Sequence, residues 1–266
     1  MKKIFNNIIG EQIWEKKYRF NNESYEEWLK RISNYNPKLQ ELIEQKKFLF
    51  GGRILANMHT PNGSLSNCYS SGYVKDDLID IMQVNTNLAL TYKAQGGQGL
   101  SVSKIRPKGA KVGEYFTSDG VIPFMEMYNN TTNTIVQGAG RRGALLISID
   151  ITHPEAENVI TLKSDLSKMQ NTNISMEIDD EFMQAVFMGD ESGEEILLSK
   201  SFVTKQETIE YVVNVQQLFK LLCEQALKYA EPGIIFTERF RNYNLMEFDD
   251  DYQIETCNPC GGIRLM

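Results

Sequence analysis

The sequence predicts an α/β fold on a mainly parallel sheet, with a helical segment in front of it. Two observations carry this. Strand-like runs at Leu145–Ile151, Ile174–Ile178 and Ile234–Phe236 interleave with helix-period segments across residues 51–266. Residues 1–50 hold helical spacing alone.

The elements follow in order. Trp14, Tyr18 and Phe20 lead into Ser24-Tyr25-Glu26-Glu27, a capping-box start. Trp28, Leu29, Ile32, Leu39, Leu42 and Ile43 continue the spacing, and this segment reads as a packing layer without chemistry. Residues 51–75 are loop-rich, with Gly51-Gly52, Pro61-Asn62-Gly63 and then Cys68. Leu78, Ile81, Met82, Leu88 and Leu90 predict a helix over 76–93. Two glycine and proline clusters make 94–120 strand and loop, and 121–136 is helical again. After the strand at Ile174–Ile178, Asp179 or Asp180 caps a helix that begins near Glu181. A longer amphipathic helix is expected from Glu207 to Ala230, on Ile209, Val212, Val213, Leu218, Phe219, Leu222, Ala226 and Tyr229. Cys223 lies among these as a buried thiol. Pro232-Gly233 ends that helix before Ile234-Ile235-Phe236.

The net charge is −7, so no overall basic field draws the chain to nucleic acid or to an anionic membrane. No apolar run reaches the roughly 18 residues of a membrane span, and Met1–Gly10 lacks the apolar core of a signal peptide. A cytoplasmic protein is the expectation. Its four cysteines, Cys68, Cys223, Cys257 and Cys260, are then mostly reduced, and a pair among them points to catalysis or metal before a structural staple.

Three motifs mislead. Gly138-Ala139-Gly140-Arg141-Arg142-Gly143 has dinucleotide-binding spacing, but the helix comes before it and the strand after, the reverse of what a pyrophosphate cradle needs. Cys257-Asn258-Pro259-Cys260 suits half a zinc site or a redox pair. The remaining zinc candidates, Cys68, Cys223, His59 and His153, are scattered, so no metal site is expected. Asn130-Thr131-Thr132 has the glycosylation pattern, which a cytoplasmic protein does not use.

Four segments in order carry a family resemblance. They are Gly52-Arg53-Ile54-Leu55 through Leu65-Ser66-Asn67-Cys68; Gly96-Gly97-Gln98-Gly99 through Ser103-Lys104-Ile105-Arg106-Pro107; Gln137-Gly138 through Arg141-Arg142-Gly143-Ala144; and Asn258-Pro259-Cys260-Gly261. Asn173-Ile174-Ser175, Asp180-Glu181-Phe182-Met183 and Glu231-Pro232-Gly233-Ile234-Ile235-Phe236 support them. Together they resemble the catalytic subunit of a ribonucleotide reductase from about residue 45 to residue 262. The resemblance implies a helical segment over 1–50, then the N-terminal half of a ten-stranded α/β barrel over 51–266, incomplete at the finger loop.

It also implies roles. Cys260 corresponds to the thiyl-radical residue that abstracts the ribose 3′-hydrogen, and Cys68 to one of two cysteines that supply electrons. Asn67, Cys68, Gly97, Asn258 and Cys260 correspond to substrate-binding positions. Asp76 and Arg106 correspond to contacts with a deoxynucleoside triphosphate effector. Residues 108–119 and 163–172 correspond to the two specificity loops. For Asp76 the plainer reading is a helix N-cap beside Asp77, for Arg106 a solvated arginine, for Asn67 and Gly97 turn chemistry, and for Cys68 and Cys260 an inert buried thiol. The family's general base, a glutamate two residues after the radical cysteine, is replaced by Gly262.

The "Asn-Pro-Cys-Gly" and "Pro-Gly-Ile-Ile-Phe" segments look most like the adenosylcobalamin-dependent class, the alternative being an iron or manganese small subunit. Ribonucleotide substrate, a homodimer, a thioredoxin-like reductant and a complementing C-terminal half are the implied partners, with no nucleic acid or membrane. The isolated chain is expected to be unstable or inactive, as the product of an interrupted gene or one piece of a split enzyme. A catalytically silent effector-binding, dimerising fragment is the competing expectation.

Overall fold

The structure is a computed structural model describing residues 5, 7–61, 64–135, 143–165, 167–244, 248 and 254–261. Helices α1 (Ile8–Lys17), α2 (Tyr25–Ile32) and α3 (Pro37–Glu44) form the front layer. The capping box at Ser24 is present, its side chain accepting from the Glu27 N–H while the Glu27 carboxylate accepts from the Ser24 N–H at 2.7 Å. Trp14, Tyr25, Trp28, Leu29, Ile32 and Ile43 pack into a core of their own. Residues read from sequence as loop form a short helix, α4 (Gly52–Asn57), which closes that core through Leu55. Trp28 Nε1 donates to the Leu55 carbonyl at 3.0 Å, and Arg31 donates to the Met58 carbonyl at 2.6 Å while paired with Glu23 at 2.6 Å. A buried guanidinium satisfied this way ties the connection to the helices without stranding a charge.

The sheet begins at β1 (Cys68–Tyr73), followed by α5 (Leu78–Lys93), β2 (Gly97–Ser101), a short ribbon of β3 (Lys111–Val112) and β4 (Phe116–Thr117), and α6 (Ile122–Thr134). Then come β5 (Leu145–Asp150), α7 (Ala156–Thr161), β6 (Thr172–Ile178), α8 (Asp180–Ser192), β7 (Leu197–Val203), β8 (Thr208–Asn214), α9 (Val215–Tyr229), β9 (Gly233–Phe236) and α10 (Thr237–Asn242). Among the described residues a five-stranded parallel sheet has the order β1-β2-β5-β6-β9. Strand order follows chain order, so each crossover steps the same way, and their common handedness places the covering helices on one face. On that face Ile147 and Ile149 of β5 and Ile174, Met176 and Ile178 of β6 pack with Ile81, Val84, Leu88 and Tyr92 of α5. Strand periodicity turns Leu146, Ser148, Ser175 and Glu177 to the other, inner face.

Besides α4 and β1, which occupy a segment read as loop, two further sequence expectations are corrected. Residues Glu207–Ala230 are not one helix: β8 pairs antiparallel with β7 as a hairpin, and α9 starts at Val215, where Asn214 accepts from the Gln217 N–H. Ile209, Tyr211 and Val213 alternate toward the protein with Glu210 and Val212 outward, so the segment keeps strand period through β8 and helical period after it. Cys223, read as a buried thiol, is exposed on α9. Among the described residues no helix is long and apolar enough to cross a membrane.

Candidate active site

Residues 254–261 lie across the inner face of the sheet, seated on glycines of β2. A Cβ at Gly99 would stand 1.9 Å from the Cys257 carbonyl oxygen, and one at Gly97 would stand 2.8 Å from the Pro259 ring. Only residues without side chains leave the room this loop occupies. The loop is then pinned from both sides. The Glu255 carboxylate accepts from the Tyr73 N–H at 3.2 Å, Thr256 Oγ1 lies 3.1 Å from Ser148 Oγ, and Cys257 packs with Leu146 and Ile235. Glu255 thus works as a clamp on β1.

The tip is shaped by Asn258, whose Oδ1 accepts from the Cys260 N–H at 3.1 Å and whose carbonyl accepts from the Gly261 N–H at 3.0 Å. Such a side-chain turn is typical chemistry for asparagine. Its outcome is a thiol pair: Cys260 Sγ lies 3.5 Å from Cys68 Sγ, at the start of β1. Cys68 is in register with Gly97, and the Asn67 carbonyl accepts from the Gly97 N–H at 2.8 Å. Asn67, Cys68, Gly97, Asn258 and Cys260, separated widely in sequence, therefore converge.

Cys68 is half-buried and Cys260 exposed, so neither is a sealed core thiol. Burial pushes Cys68 up to about 11, helped by its hydrogen bond and charge interaction with Cys260 and opposed by Arg53. Cys68 is accordingly a protonated thiol at neutral pH. Cys257 is buried, and burial followed by the Glu177 charge pushes it up to about 11. Among the described residues no three His, Cys, Asp or Glu side chains gather as metal ligands.

Sequence reasoning missed Glu177. It sits buried on the inner face beneath the loop, accepting from Ser148 Oγ at 2.6 Å and from Ser103 Oγ at 3.3 Å. Desolvation holds its carboxyl above the usual range against those hydrogen bonds, and Glu177 in turn helps raise Tyr73, pushed up to about 12 mainly by burial. The signal was present as a lone acid in the period-two pattern of β6. Gly262 and Gln137–Arg142 lie outside the described residues.

A second cluster forms beyond β1 and β2. Arg106 Nε donates to both Asp76 carboxylate oxygens at 2.9 Å, and its side chain is largely buried. Asp77, not Asp76, caps α5, accepting from the Ile79 N–H at 2.9 Å. The structure thus joins Asp76 to Arg106 and removes both plainer readings. The β7–β8 tip closes on the same cluster: Gln206 Oε1 accepts from Arg106 at 3.1 Å, and Glu207 accepts from the Lys111 N–H at 2.7 Å. Behind it, the Glu155 carboxylate accepts from the backbone N–H groups of Lys108 at 3.1 Å and Val121 at 2.9 Å, fixing both ends of the 108–119 loop. His153 is pushed down to about 4 by burial, and as neutral imidazole it bridges the Ile105 carbonyl and the Glu155 N–H. In the segment 163–172, Lys163 pairs with Glu231 at 2.6 Å, and Glu231 also accepts from the Ile174 N–H at 3.1 Å.

Comparison with known proteins gives one family. The ribonucleotide reductase barrel domain matches residues 66–266. A vitamin B12-dependent ribonucleoside-diphosphate reductase of Thermoplasma acidophilum is 30% identical over 86% of this chain and 29% of its own length. The protein of the same description from Mycobacterium tuberculosis is 27% identical over 85% of this chain and 31% of its own length. The chain therefore spans less than a third of the curated relatives it matches. In structure it is similar to the alpha subunit of a class Id ribonucleotide reductase from Actinobacillus ureae, with a TM-score of 0.78 and 16% identity over 100% of this chain and 47% of that one, a likeness of fold.

Proposed function

The chain belongs to the ribonucleotide reductase family through its barrel domain, and on that premise we propose that it supplies the radical face of a ribonucleotide reductase. The single observation that carries this reading is the approach of the Cys260 thiol, on a loop seated against the inner face of the sheet, to within 3.5 Å of the Cys68 thiol of β1. Cys260, exposed at the tip, is the hydrogen-abstracting thiol. Asn258 shapes the tip and, with Asn67 and Gly97, lines the ribose position. Cys68, a protonated thiol up to about pH 11, supplies a proton to the departing 2′-hydroxyl and one of the two reducing equivalents. The other belongs to a cysteine on a complementing C-terminal half.

The relatives' names favour ribonucleoside diphosphates and vitamin B12. Adenosylcobalamin, when bound, supplies the one-electron oxidation of the Cys260 thiol. The residues present fit that group at the point it must reach, because Cys260 is exposed. Asp76 and Arg106, with the 108–119 loop, take the deoxynucleoside triphosphate effector. Arginine recognises phosphate through charge-assisted hydrogen bonds, so Arg106 would exchange its Asp76 contact for the effector phosphates. A homodimer and a dithiol reductant of thioredoxin type complete the assembly in the cytoplasm. With Gly262 where the family carries its glutamate, no side chain of that residue takes the 3′-hydroxyl proton.

The test is reduction of CDP by the chain combined with a polypeptide carrying the second barrel half, adenosylcobalamin and dithiothreitol. Product is expected from the combination, formed roughly 10²–10⁴-fold more slowly for want of that glutamate base, and none from its Cys260→Ser variant. Absence of product with dATP binding intact would replace this reading with that of an effector-binding fragment.

A further inference from the structure

We propose that Cys68 and Cys260 are an oxidative modification site, closing to a reversible intramolecular disulfide at the tip of the finger loop. The two sulfurs lie 3.5 Å apart across 192 residues of sequence. A disulfide bond is about 2.05 Å long, so closure asks for an approach of roughly 1.5 Å. The tip has room for it: Cys260 is exposed, and Gly261, at a left-handed φ of +72°, has no neighbouring atom within 4 Å of where a Cβ would stand. The other two cysteines are poorly placed to compete. Cys257 is buried between Leu146 and Ile235, and Cys223 lies on α9.

The chemistry balances with a small-molecule disulfide as oxidant, glutathione disulfide serving as the probe. Cys260, the exposed thiol, attacks as thiolate and expels one glutathione thiolate, forming a mixed disulfide. Cys68 then gives up its proton, attacks the Cys260 sulfur and expels the second glutathione. Two electrons leave the protein, two S–H bonds are lost from it, and two glutathione thiols are formed. The raised thiol pKa of Cys68 slows the second step at neutral pH. In the closed state Cys260 carries no S–H hydrogen, so a radical cannot be placed on it until a dithiol reopens the bond. The inference needs only thiol geometry and goes beyond the reductase reading. A chain that closes the bond yet reduces no nucleotide leaves it intact, and one that reduces nucleotides yet never closes the bond overturns this inference alone.

The experiment uses the full chain carrying Cys223→Ser, so that an exposed thiol does not compete. It is treated with glutathione disulfide, quenched in acid, alkylated and digested for mass spectrometry, in native buffer and in urea. The expected product joins the Cys68 peptide to the Cys257–Cys260 peptide, persists when Cys257 is also replaced by serine, vanishes with Cys260→Ser and is reversed by dithiothreitol. It should form at least roughly tenfold faster in native buffer than in urea, because folding raises the effective concentration of the two thiols. A Cys257–Cys260 bond, glutathione adducts without an internal bond, a link between two chains, or equal rates in urea would each overturn it.

Discussion

Glu177 projects from β6 onto the inner face, where Ser148 and Ser103 donate to its carboxyl group and Ser148 reaches on to Thr256 of the loop. Burial disfavours its charged form, so its pKa is raised in the folded chain. The sign of the linkage follows. Below the ordinary carboxylate pKa the group is protonated folded and unfolded, and its contribution is fully present. As pH rises toward the folded pKa, the unfolded chain ionises first and that contribution is lost. Glu177→Gln, which keeps the shape without the charge, should match the wild type near pH 4 and melt at a higher temperature as pH rises, read by thermal denaturation across that range. Glu177→Ala should lower stability at every pH, by about 1–3 kcal/mol, because it leaves buried hydroxyls without their acceptor. Cys68 and Cys260 were legible in sequence because motifs mark them. Glu177 was not, because its role depends on which strand face the loop covers, and that depends on contacts far apart in sequence, such as the one between Ser148 of β5 and Thr256, 108 positions later.

The β7–β8 hairpin is the element that sequence periodicity misassigned. Its tip reaches the 108–119 loop through Glu207 on the Lys111 N–H, and the neighbouring cluster through Gln206 on Arg106 and Lys205 on Asp77 at 3.7 Å. The parallel strands β5 and β6, by contrast, were readable, since Leu145–Asp150 and Thr172–Ile178 are short β-branched runs between helices, whereas β1 lay in a segment read as loop. A hairpin whose outward positions mix Ser199, Ser201, Thr208 and Glu210 with Leu197, Val203 and Val212 lacks that apolar continuity, and Leu218, Phe219 and Leu222 of α9 extend a helical spacing backward into it. The hairpin tip and Glu155 hold the loop at different residues, Lys111 and Lys108, so loosening one should free only part of it. Glu207→Ala is expected to speed tryptic cleavage at Lys111 several-fold while Lys108, whose N–H remains bonded to Glu155, is cut at its former rate. Equal acceleration at both sites would mean that the hairpin supports the whole loop.

At the scale of the whole molecule, α5 carries apolar residues on two faces. Ile81, Val84, Leu88 and Tyr92 are buried against the sheet. Leu78, Met82 and Leu90, on a four-residue spacing, are 65%, 46% and 57% exposed, and Ile79 beside them is 81% exposed. An exposed apolar stripe rimmed by polar residues marks an interaction surface, so the proposed homodimer has a natural seat along it. The helix is capped by Asp77, next to the Asp76–Arg106 pair, which places the proposed effector cluster at one end of the same stripe. Association and effector binding should then be linked: a ligand that prefers the dimer strengthens it, and the dimer strengthens the ligand by the same factor. Met82→Glu introduces a charge that a second copy would have to bury, while in the single chain it stands in solvent. Sedimentation equilibrium should find the wild-type chain dimerising with concentration and the variant monomeric, both with the same circular dichroism. Added dATP should shift the wild-type equilibrium further toward dimer and leave the Met82→Glu chain unmoved. A variant that dimerises as the wild type does would move the interface away from α5 and uncouple the effector cluster from it.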